Sequence, residues 1–125
     1  MNVNAELFLQ LTGYAGLAAL VGTRIYRVTL PVDPTLPAVT FQRIDTPREY
    51  SHDGDSHLPH PRFQISCWAT TQSVAEAVAD QVRGALRGWH LAYGEAAFVE
   101  DQADAYEPET GIYHIPLDAT IWHHD

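Results

Sequence analysis

The stretch from Tyr106 to Trp122 restricts the possible folds more than any other part of the chain. Glu107, Pro108, Glu109, Thr110 and Gly111 carry turn chemistry, because glycine takes positive φ freely and proline holds φ near about −65°. Beyond them Tyr113, Ile115, Leu117, Ala119 and Ile121 recur at every second position, while Ile112, His114, Pro116, Asp118, Thr120 and Trp122 point the other way. Alternation this regular belongs to a strand that buries one face and leaves the other to solvent or a partner. The spacing therefore predicts strand, turn, strand, with the last strand at an edge of its sheet. It sets out no catalytic group, which favours an assembly component over an enzyme.

The remaining elements follow from the same two periodicities. Helices are expected over residues 5–11 and 14–21, the second closed by Gly22. Strands are expected at residues 24–30, 38–45 and 62–69, the last with Phe63, Ile65, Cys67 and Ala69 on one face. Val74, Val78, Val82 and Leu86 recur at i+4 beside Ala75, Ala79 and Ala85, which predicts an amphipathic helix over 74–87. Ser73 with Glu76 offers a capping box, Thr71 an alternative N-cap, and Gly88 a C-terminal stop. A fourth strand spans 97–106 before the C-terminal one. The order is that of one α+β domain over residues 1–125, with a largely antiparallel sheet of about five strands covered by the long helix and a short N-terminal helical pair. Residues 46–61 form a polar, proline-containing connection long enough to be functional or mobile; a flexible arm is expected, able to reach a neighbouring subunit.

Charge excludes whole classes of function. Sixteen acids oppose seven bases, every base is arginine, and the net charge is −9. Affinity for phosphate backbones comes from neutralising cations, so specific nucleic-acid binding is not expected. Tyr14, Tyr26, Tyr50, Trp68, Trp89 and Trp122 have no basic groove to bring bases to them. No apolar run is long enough to span a bilayer and no cationic leader precedes one, so neither membrane insertion nor a signal peptide is expected. Cys67 is the single cysteine; an intracellular protein without disulfides, and a small buried hydrophobe rather than a nucleophile, are the expectations.

His52, His57 and His60 share the long connection with Asp53 and Asp55, a donor set suited to zinc or nickel. Their spacing matches neither a helical His-Glu-x-x-His nor a calcium loop, so a solvated loop is the preferred reading and no metal or cofactor is expected. Glu100, Asp101, Asp104, Glu107 and Glu109 are read as a solvated acidic face, and nothing matches a phosphate-binding loop.

Five ordered pieces carry a family resemblance. A helical pair leads into Leu20-Val-Gly-Thr-Arg-Ile-Tyr26, followed by Leu30-Pro31 and by Leu36-Pro-Ala-Val-Thr-Phe-Gln-Arg-Ile44. Arg62-Phe-Gln-Ile-Ser-Cys-Trp-Ala69 comes next, then the alanine-rich helix, and Tyr106-Glu-Pro-Glu-Thr-Gly-Ile-Tyr113 closes the series. Over about residues 6–123 the chain resembles the tail completion, or tail terminator, proteins of long-tailed bacteriophages, a module also found in gene transfer agents.

That resemblance implies a structural virion protein that assembles in the host cytoplasm as a ring, typically a hexamer. The ring would cap the head-proximal end of the tail tube, stop its polymerisation and join tail to head. Its partners would be copies of itself, the tail tube protein and the head–tail connector or stopper protein, with double-stranded DNA passing through unbound. The alternatives are a head-side connector or stopper ring and, from another class, a small ligand- or metal-binding module around the loop histidines. Candidate interface residues are Arg48, Glu49, Tyr50, His52 and His57 in the loop, with His114, Thr120 and Trp122 on the outward face of the last strand. Glu100, Asp101 and Asp104 are expected to line the DNA lumen and repel phosphate.

Overall fold

A computed structural model of the chain describes residues 3–45, 62–87 and 96–122. Three helices lie on one face of a six-stranded sheet. They are α1 (Val3–Gly13), α2 (Ala15–Val21) and α3 (Gln72–Arg87). The strands are β1 (Ile25–Arg27), β2 (Ala38–Asp45), β3 (Arg62–Ala69), β4 (Ala96–Gln102), β5 (Ala105–Glu107) and β6 (Ile112–Trp122). The order across the sheet is β1-β2-β3-β6-β4, with β5 also paired to β6.

The C-terminal strand is not an edge. β6 runs antiparallel to β3 from Tyr113↔Ala69 to Thr120↔Arg62, and its other side pairs with both β4 and β5. Its alternation is as expected: Ile115, Leu117, Ala119 and Ile121 are buried against the helices. Alternation reports which face is buried and says nothing about lateral neighbours, hence the misplaced edge. The expected fourth strand is likewise two, because the ladder breaks at residues 103 and 104. Pro116 stands opposite that break. Its carbonyl accepts from the Ala103 N–H at 3.2 Å, so its nitrogen, which has no hydrogen to give, faces the same side. A proline is tolerated inside the sheet because the neighbouring edge is interrupted there.

α3 supplies most of the helical layer. Ala75, Val78, Ala79, Val82, Ala85 and Leu86 are all buried, each large one stabilising the fold by about 1.5–3 kcal/mol. The helix starts two residues ahead of the capping-box expectation, at Gln72, since Thr71, the alternative N-cap, is the residue that caps it. The Val74 N–H donates to Thr71 Oγ1 at 3.3 Å and the Ala75 N–H to the Thr71 carbonyl at 3.1 Å. At its other end Gln10 of α1 donates to the Ala85 carbonyl at 2.8 Å, one of the helix-terminal acceptors with no partner in the helix. Leu7, Leu11, Leu17 and Val21 of the helical pair complete the core with Phe41, Phe63 and Ile65. Cys67 is fully buried there and its thiol pKa is pushed up to about 12 by desolvation, which leaves it a hydrophobe and no nucleophile.

β1 departs from the antiparallel pattern. It pairs parallel to β2, Ile25↔Val39 to Arg27↔Phe41, after a short return through residues 28–37 that contains the cis Leu36–Pro37 bond. Arg24 holds this return in place, its Nε donating to the Pro37 carbonyl at 2.9 Å and its Nη2 to the Leu20 carbonyl at 3.4 Å. Gly22 (φ 59°) and Gly111 (φ 71°) occupy the left-handed positions expected of them at the end of α2 and in the β5–β6 turn.

Candidate functional site: the outer face and edges of the sheet

All three helices lie on one face, and among the described residues no helix covers the other face of the sheet. Thr40, Ser66 and Thr120 lie on it and are nevertheless buried, at 4 %, 5 % and 3 % exposure. At one end Trp68 stacks on His114, ring centroids 3.9 Å apart and planes 3° from parallel. Trp68 Nε1–H donates to Thr40 Oγ1 at 3.0 Å, which ties β2, β3 and β6 together across the face. His114 Nε2 is buried and has no hydrogen-bond partner among the described residues. Burial lowers the His114 pKa, and the Glu107 carboxylate on β5 only partly opposes this.

A sign follows for stability. The folded state holds His114 neutral below its ordinary value of 6.5, so the unfolded chain binds more protons there. This contribution is whole above about pH 6.5 and is lost as the pH falls below it, until the folded residue is itself protonated. Thermal unfolding from pH 8 to pH 5 should show a shallower acid slope in His114→Gln than in the parent chain. Equal slopes would mean that the Trp68 stack does not disfavour the imidazolium.

Beside the stack lies a groove of about 400 Å³, lined by Val28, Leu30, Pro31, Pro34, Trp68 and Ile112 among others, with Glu107 its one ionisable group. A second hollow of about 280 Å³ follows the turn from Tyr106 to Thr110. Neither gathers the convergent polar groups that chemistry requires. Among the described residues no three His, Cys, Asp or Glu side chains converge on a metal position.

The expected interface residues divide by location. Arg48, Glu49, Tyr50, His52 and His57 lie outside the described residues, as do His60 and the side chains of Trp122 and Glu100. His114 is on the outer face as expected but is half-buried under Trp68, and Thr120 is buried, so neither projects freely toward a partner. Asp101, Asp104, Glu107 and Glu109 are all exposed, in keeping with a solvated acidic face. Sequence reasoning weighs Trp68 only as a base-stacking aromatic, which it rejects, and does not single out Thr40. Their hydrogen bond joins positions 28 residues apart and becomes visible only once β2 and β3 are in register.

The arrangement defines a class first: a small α+β subunit in which, among the described residues, one sheet face carries no helix and both sheet edges are unpaired. The comparisons then give its family. Residues 5–124 match the family described as Tail completion protein gp17, and the chain belongs to that family. It is a structural protein of a phage-type tail and not an enzyme. Its fold is shared by a chain in the virion of a native gene transfer agent particle, with a TM-score of 0.77 at 22 % identity, over 93 % of this chain and 90 % of that one. No curated protein is significantly similar to it in sequence.

Proposed function

We propose that this subunit assembles as a ring on the head-proximal end of a tail tube, ends tube polymerisation there, and offers its far surface to the head connector. Membership of the tail completion family along nearly the whole chain is the observation that carries this reading. The fold supports it physically. Among the described residues β1 pairs only with β2, and β4 and β5 only with β6, so both sides of the sheet end in unpaired backbone groups. A subunit with two different open edges is suited to head-to-tail contacts, which close into a ring when the rotation per copy divides a full turn. Net charge of −9 keeps such a ring from gripping DNA that passes through it. Assembly would take place in the host cytoplasm, before the tail meets the filled head.

Immunogold labelling of isolated tails tests the placement. Label at one end only, the end that later joins the head, is the expected result. Label along the tube, or on heads lacking tails, would contradict it.

A further inference from the structure

The two open edges carry opposite charge at the same height along the strands. Residues 96–111, which form β4, β5 and the following turn, contain Glu100, Asp101, Asp104, Glu107 and Glu109 and no base. At the opposite edge residues 24–45 contain Arg24, Arg27 and Arg43 against Asp33 and Asp45. Arg24 is engaged by backbone carbonyls, whereas Arg27 and Arg43 are exposed. β1 is so short that β2 beyond Phe41 becomes the edge itself, and this is the segment that holds Arg43.

The ladder fixes relative heights. Arg27 pairs with Phe41, Phe41 with Ile65, Ile65 with Leu117, and Leu117 with Gln102. In the same way Arg43 is level with Phe63, Ala119 and Val99. The two arginines therefore stand level with Gln102 and Val99, and the register shift between Val99 and Asp101 places Glu100 and Asp101 between those levels. Asp104 follows just past the end of β4.

Among the described residues no ion pair neutralises Arg27, Arg43, Asp101 or Asp104. Among the described residues Arg27 makes no ion pair, and Arg43 lies only over the Phe63 ring at 5.6 Å. Asp101 is in register with Asp118, two carboxylates opposite each other, an arrangement that is destabilising without a cation. Arg83 of α3, which reaches β4 at Gln102, is paired with Asp80.

We infer that the occupant of each edge is a second copy of this chain, placed head to tail so that Arg27 and Arg43 of one copy meet Asp101 and Asp104 of the next. The inference rests on the ring reading and specifies its seam. It also gives Asp101 and Asp104 an inter-subunit role in place of lining the lumen. Exposed Tyr106 on β5 supplies an aromatic beside the acids, of the kind enriched at the centre of protein interfaces. The contact is heterologous, since it joins two different patches of the same surface.

Complementation of a deletion strain tests it. Two variants, Arg27→Glu/Arg43→Glu and Asp101→Arg/Asp104→Arg, each oppose like charges across the seam and should lower the yield of completed particles about tenfold or more. The chain carrying all four substitutions restores opposite charges and should regain most of that yield. Thermal melts of the purified variants exclude misfolding as the cause. As a second readout, Arg27→Cys/Asp104→Cys should give a ladder of crosslinked multimers on isolated tails, while either single cysteine gives none. Buried Cys67 does not interfere.

Folded reversal variants that assemble normally would overturn the seam. So would a fourfold variant as defective as the acid-edge variant, the outcome expected if the acids line the lumen. If the parent subunit still labels the tail end in those cases, the ring reading survives its seam. If the parent does not label the tail end, the ring reading itself is wrong.

Discussion

Phe63→Ala is expected to cost about 3–5 kcal/mol, the range for deleting a buried aromatic side chain. Phe63 is fully buried in β3, a strand paired on both sides, between Arg43 of β2 and Ala119 of β6. Neighbouring strands cannot close in on the space without breaking two ladders, so the hole left behind stays largely open. Domains of this size have total stabilities of about 5–15 kcal/mol, so the variant should melt on the order of 15 °C lower or fail to accumulate. Phe8 is the internal comparison. It is 37 % exposed on α1 with its ring 6.3 Å from that of Phe41, and truncating it should cost less than half as much. Chemical denaturation of both variants checks the ranking; equal losses would mean that β3 is not the centre of the core.

Val82→Asp is expected to be worse. Val82 is fully buried on the face of α3 that packs on the sheet, while Asp80, two residues earlier, is exposed. A carboxylate is therefore harmless at position 80 and ruinous at 82, since at 82 it would lose its water and gain no partner. The penalty is several kcal/mol, comparable with the whole stability of the fold. No cooperative melting transition should remain at pH 7. Because burial raises the folded-state carboxyl pKa, the same variant should recover part of its structure as the pH falls toward that value. Circular dichroism across the pH range reads both effects. A cooperative transition at pH 7 would show that the helix does not lie where the structure places it.

The parts of this fold that could be read from sequence are those fixed by local periodicity. The i+4 stripe of α3, the alternation of β3 and β6, and the positive-φ glycines at 22 and 111 each report a preference carried within one segment. Lateral order is different. Nothing within residues 112–122 states that β6 has neighbours on both sides, and nothing in residues 24–45 states that β1 and β2 run parallel through so short a return. Pro116 was the one local sign that the strand beside β6 must break, and it gains that meaning only when register is known. Family membership was legible because five short pieces occur in order, each weak alone. The candidate site was legible in part. The acids of β4 stood out by composition, but their match to Arg27 and Arg43 depends on heights that four strand pairings define together. The loop candidates Arg48, Glu49, Tyr50, His52 and His57 lie outside the described residues and remain proposals for assembly contacts.

The most direct test of the central claim is the length of tails made without this protein. Electron microscopy of particles from a strain with its gene deleted should show overlong tails, or tails unjoined beside filled heads, and supplying the gene in trans should restore joined tails of uniform length. Intact particles with joined tails of normal length in the deletion strain would contradict the account.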